Sequence, residues 1–139
     1  MARRSTGRAR GRPSKGPRVV VVPRLLFAHD RVLKDLAAAR SWYVSETAAE
    51  LIAIGLRRTD ELPDELPLRL PSTEATDFTV RIPVDANEKV RGIASLRDRS
   101  LSIVTGALIQ LGLQRLEELP GQIPAQYTTR QELPLTKAS

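Results

Sequence analysis

The residues of this chain best placed to do chemistry are arginines and threonines at alternating positions, and that chemistry is recognition rather than bond-making. Thr76-Asp77-Phe78-Thr79-Val80-Arg81-Ile82 alternates polar and apolar, the mark of a half-exposed strand. Alternation sends Phe78, Val80 and Ile82 to one side and Asp77, Thr79 and Arg81 to the other. An earlier run, Arg18-Val19-Val20-Val21-Val22-Pro23-Arg24-Leu25, turns Val21, Pro23 and Leu25 inward and Val20, Val22 and Arg24 outward. The outward set suits nucleobase edges. Arginine donates two parallel bonds to guanine, threonine offers a hydroxyl and a methyl, and valine meets the thymine methyl. Asp77 can accept from cytosine, yet it repels phosphate and so works against wrong sequences. Pro23 restricts its run to an edge strand or a two-stranded ribbon.

Catalytic chemistry has little to work with. The chain has no cysteine and one histidine, which excludes disulfides, thiolate sites and imidazole clusters and makes a reducing cytosol the expected compartment. His29, at the start of a helical pattern, reads as a cap or surface residue. Ser45 has no accompanying base. Glu46 and Glu50 read as a solvated helix face, and Trp42 and Tyr43 as seals on the core edge where two helices turn. No enzyme activity, metal or cofactor is expected. The longest uncharged run, 15 residues from Ser100 to Gln114, is too short and too polar to span a membrane.

Charge is segregated along the chain. The net +6 conceals seven cations and no acid in residues 1–18, against 15 cations and 16 anions in residues 19–139. A cationic block rich in Arg, Gly, Pro and Ser is expected to be a disordered arm that seeks a polyanion, nucleic acid first among them.

The elements that must position these groups are written twice. Residues 19–58 overlay residues 76–115 at a constant offset of 57 without a gap, with nine of 40 pairs identical. Arg24 falls on Arg81, Ala37 on Ala94, Arg40 on Arg97 and Ser45 on Ser102. The other five identities lie between Leu51 and Arg58, matched to Leu108 and Arg115. Two such units suit a pair in which each completes the other, since about 40 residues bury too little surface to fold alone.

Each copy reads as strand, helix, helix. A first helix is expected from about His29 to Ser41, and Ser45 caps a second running from about Glu46 to Arg58. Val90, Ile93 and Ala94 mark the third, after Pro83 ends the strand, and Ser102 caps a fourth running to about Leu119. Leu51, Ile52, Ile54 and Leu56, like Leu108, Ile109, Leu111 and Leu113, wrap most of their helix and belong at the centre of a core. Residues 59–75, with Pro63, Pro67 and Pro71 and five acids against one cation, read as a semi-extended acidic linker. Residues 120–139 read as a flexible tail.

This grammar resembles the ribbon-helix-helix DNA-binding family, the class of the Arc and MetJ repressors, over about 80 of the 139 residues. Phe78-Thr79-Val80-Arg81-Ile82-Pro83 looks like the family's ribbon and its following proline. In the first copy Pro23 sits inside the strand and Leu26 takes the place of Pro83. The resemblance implies a mainly α fold with a short two-stranded antiparallel ribbon, two ribbon-helix-helix units forming an intrachain pseudo-dimer. It also implies double-stranded DNA as partner, with Val20, Val22, Arg24, Asp77, Thr79 and Arg81 in the major groove. The helix amino ends at Ser45 and Ser102 would then meet phosphate. Arg8, Arg10, Gly11, Arg12, Pro13 and Lys15 form an arm whose Arg-Gly-Arg-Pro centre resembles an AT-hook, suited to narrow minor grooves. A cytoplasmic, nucleoid-associated transcriptional repressor is the leading expectation. Plasmid partition or a relaxosome accessory role is a second, and an antitoxin-type protein holding a partner through residues 120–139 is a third. Self-association along DNA stays open.

Overall fold

A computed structural model describes residues 17–119. The basic-arm residues Arg8, Arg10, Gly11, Arg12, Pro13 and Lys15, and the tail 120–139, lie outside the described residues. The fold is mainly helical with a short antiparallel ribbon. In order it comprises β1 (Arg18–Val21), β2 (Arg24–Leu26), α1 (Phe27–Arg40), α2 (Val44–Leu56), β3 (Ala75–Asp77), β4 (Val80–Pro83), α3 (Val84–Arg97) and α4 (Leu101–Leu113). Single 3₁₀ turns follow α2 at Thr59–Glu61 and α4 at Leu116–Glu118. Among the described residues, no helix is long and apolar enough to cross a membrane.

The four strands make one interrupted ribbon. β1 pairs with β4, with Val20 opposite Arg81, and β2 pairs with β3, with Arg24 opposite Asp77. The second ladder continues the register of the first, so Val22 and Thr79 fall opposite each other in the gap. Phe27 N–H to Glu74 O at 2.9 Å extends the same register by one more pair. Pro23 accounts for the interruption: it has no N–H to give, and its carbonyl accepts a long bond, 3.4 Å, from Phe78 N–H. Inward, Val21, Pro23, Leu25, Val80 and Ile82 are buried, as the alternation requires.

Behind the ribbon, α2 and α4 pack against each other more extensively than any other pair of elements, with α1 on α2 and α3 on α4. Leu51, Ile52, Ile54, Leu108, Ile109, Leu111 and Leu113 lie in the core. The crossing is reciprocal. A methyl at Gly55 would stand 2.6 Å from Leu108 O, and one at Gly112 would stand 2.5 Å from Leu51 O. At the offset of 57, Gly55 is the counterpart of Gly112 and Leu51 of Leu108. Ion pairs reciprocate too. Arg58 binds Glu118 through Nε at 2.7 Å and again through Nη2, while Arg115 Nη2 binds Glu61 at 2.7 Å. In both the crossing and the ion pairs, what one copy contributes the other returns.

Several expectations need correction. Ser45 does not cap α2: the cap position is Tyr43, with no side-chain bond, and Ser45 is the second helical residue. Ser102 likewise is second in α4, where Ser100 is the cap and its hydroxyl accepts from Ile103 N–H at 3.2 Å. Both helices stop early, at Leu56 and Leu113, because the chain tightens into the 3₁₀ turns. α1 begins at Phe27, which rotates His29 inward, and it is 4% exposed. Tyr43 seals nothing, at 73% exposed, whereas Trp42 is half-buried beneath Arg40, whose guanidinium carbon lies 3.7 Å from the ring centre. Within residues 59–75, Leu62 and Leu66 are buried in the core.

Candidate nucleic-acid interface

Register and alternation put all six outward residues on one surface. Val20 and Val22 are 50% and 42% exposed, and Asp77, Thr79 and Arg81 are exposed beside them. Exposed valines side by side on a ribbon are costly to leave in water, at about 25 cal/mol for each Å² of apolar surface. They are therefore a reason to expect a covering partner. Val22 and Thr79 stand at the centre, with Arg24 and Asp77 on one side and Val20 and Arg81 on the other.

The two arginines differ in a way that the alternation alone does not reveal. Arg24 is committed: Nη1 binds Asp77 Oδ1 at 2.7 Å, and Nε donates to Leu70 O at 2.6 Å. Its side chain is 21% exposed. A signal for this exists in the sequence, because the repeat centres the ribbon between Val22 and Thr79, and that register puts Arg24 opposite Asp77. The side chain of Arg81 is exposed and makes no bond to a described residue. Arg18, exposed at the ribbon end, reaches Arg81 O with Nη1 at 3.5 Å. The face thus carries three guanidiniums and one carboxylate, and that carboxylate is spent on Arg24.

The amino end of α2 flanks this face. Arg18, Tyr43, Ser45, Glu46, Thr79 and Arg81 line a shallow hollow of about 250 Å³. The amides of the first turn have no partners within the helix, so an anion is favoured there, although Glu46 in that turn opposes it. At the equivalent end of α4 the first turn has no acid, and Ser102 is half-buried. Ser45 therefore joins Thr79 and Arg81 in one hollow, whereas Ser102 is located only by its place in α4. Gly106 brings α4 hard against β2: a methyl there would overlap the Arg24 carbonyl.

Elsewhere, burial pulls the His29 imidazole below its usual range, so it is held neutral. Arg58 hydrogen bonding lowers Glu118. Both lie away from the ribbon's outer face and serve the fold. Compared with known proteins, the chain matches no protein-family profile, no curated protein and no solved structure.

Proposed function

We propose that this protein binds double-stranded DNA by laying the outer face of its ribbon in the major groove. In this reading the chain is a tandem of two ribbon-helix-helix units joined as an intrachain pseudo-dimer. Reciprocity at the α2–α4 crossing and in the Arg58–Glu118 and Arg115–Glu61 pairs supports the pseudo-dimer, because a two-fold interface matches each contact with its mirror. The single observation that carries the function is the exposed row Val20, Val22, Thr79 and Arg81 on a two-stranded ribbon, whose width suits the major groove. Arg81 reads guanine, Val20 and Val22 take thymine methyls, Thr79 takes either kind of edge, and Asp77 holds Arg24 to one side. The halves differ, so the preferred site is not a strict palindrome. The first turn of α2 positions the protein on phosphate, and the cationic arm adds sequence-independent attraction. Repression by occupancy of a promoter is the use that fits best.

Selection of bound duplexes from a random pool by the full chain tests this reading. An enriched, non-palindromic motif of one helical turn or less is the expected result. A pool with no enrichment after repeated rounds would refute sequence reading.

A further inference from the structure

The repeat runs past residues 58 and 115. At the same offset of 57, Glu61-Leu62-Pro63 falls on Glu118-Leu119-Pro120 and Leu66-Pro67 on Ile123-Pro124. From 61/118 to 67/124, four of seven pairs are identical, and Leu70 falls on Tyr127.

In its first occurrence this segment is a strap across α4. Leu62 and Leu66 are each 5% exposed. Three arginines hold its carbonyls: Arg97 Nη1 donates to Pro63 O at 2.5 Å, Arg99 Nε to Leu66 O at 2.7 Å and Arg24 Nε to Leu70 O at 2.6 Å. Pro63, Leu66, Pro67 and Leu70 wall a cavity of about 530 Å³ whose opposite side includes Leu25, Leu26, His29, Gly106, Gln110 and Gln114.

Moved by 57 residues, those six become Ile82, Pro83, Ala86, Ala49, Ala53 and Arg57. All six line a groove of about 250 Å³ over α2. None of the other described residues lining it comes from the strap. Two of the three clasping arginines also have arginine counterparts: Arg40 for Arg97 and Arg81 for Arg24. The third, Arg99, is replaced by Trp42.

We propose that residues 120–127 form a second strap that fills the α2 groove, Ile123 replacing Leu66 and Tyr127 replacing Leu70. Leu119 is buried as its counterpart Leu62 is, so the chain enters this segment already anchored. The eight residues carry no charge, which suits a groove whose middle is Ala49, Ala53, Ile82 and Ala86. The proposal rests on the repeat and the groove and is independent of DNA binding. One consequence reaches the ribbon: Arg81 would donate Nε to the Tyr127 carbonyl as Arg24 does to Leu70, steadying its fork.

The absence of cysteine makes a cross-linking test clean. In the full chain, Ala53→Cys with Ile123→Cys copies the Gln110–Leu66 juxtaposition, and Gln110→Cys with Ile123→Cys is the control across the occupied groove. At dilute protein the first pair should close within one chain at least about tenfold faster than the control. Equal rates, or cross-linked dimers, would overturn the proposal. Ile123→Asp, read by hydrogen exchange in an otherwise native chain, is the independent check. Amides of residues 49–57 should lose protection while those of 106–114 keep theirs, and unchanged protection at 49–57 would also overturn it.

Discussion

Gly55→Ala and Gly112→Ala probe the centre of the fold, and a third glycine fixes their sign. In an unencumbered helix, replacing glycine by alanine stabilises by about 1 kcal/mol, because the unfolded chain loses freedom and the helix loses none. Gly92 is such a site: it is exposed on α3, and an added methyl would meet nothing within 4 Å. At Gly55 and Gly112 the methyl would stand 2.6 Å and 2.5 Å from backbone oxygens of the facing helix, well inside ordinary contact. A backbone carbonyl cannot rotate aside like a side chain, so α2 and α4 must move apart. Overpacking of that severity costs about 3 kcal/mol, which less the propensity gain leaves a loss of about 2 kcal/mol. For a domain of this size Gly55→Ala should lower Tm by about 10 °C, and Gly92→Ala should raise it by about 4 °C. Because both buried substitutions push the same crossing, their double variant should cost less than the sum. Thermal and urea unfolding of the four variants measures all of this. If Gly55→Ala stabilises the protein as Gly92→Ala does, the close crossing is not present in solution.

Four further outcomes are expected. Arg81→Ala should cost about 1–3 kcal/mol on the selected duplex and relax preference at one base pair, measured by titration against single-base variants. Asp77→Asn, which removes the carboxylate from the ribbon face, should tighten binding to unrelated duplexes by about 0.5–1 kcal/mol at low salt and less at high salt. Deleting residues 1–17 should flatten the dependence of log K on log salt by slightly under one unit for each phosphate that the arm neutralises. Stability should fall with acid as His29 protonates. Its folded pKa is lowered by burial from 6.5, so the unfolded chain takes up the proton first. The loss therefore begins near pH 6.5 and deepens downward until the folded pKa is reached. Glu61 and Glu65 line the same cavity. Glu118, lowered from 4.5, acts only below that range. Urea midpoints at pH 7.5 and 5.5 should differ less in His29→Leu than in the parent chain.

The ribbon's faces are legible in the sequence because period-two alternation is a strict signal, and only Pro23 disturbs it. The central helices are legible for a similar reason, being apolar around most of their circumference. The close crossing is legible in principle. Two glycines among large apolar residues, repeated at the same place, mark backbones that approach each other, although their identity by itself signals only similarity. Helix boundaries are harder, because local chemistry misleads there. Serine is a strong cap, but at Ser45 and Ser102 it falls in the first turn, and at α4 Ser100, two residues earlier, does the capping. A helix begun at His29 leaves that residue exposed, whereas one begun at Phe27 turns it inward, since two residues rotate a helical side chain through most of a half-circle. Residues 59–67 hide their role because acids and prolines resemble a linker, while their counterparts at 116–124 are less acidic. Only Glu-Leu-Pro and the later proline survive to show the kinship. The Arg24–Asp77 bond depends on the register, which follows from the repeat once its centre is placed between Val22 and Thr79.

The central claim, that the exposed ribbon face enters the major groove and reads bases there, is tested most directly by methylation interference on the selected duplex. Methylation at guanine N7, which lies in the major groove, should abolish binding of the full chain at one or more positions. Arg81→Ala should release that interference at one of them. Interference confined to adenine N3 in the minor groove, with N7 methylation tolerated throughout, would contradict it.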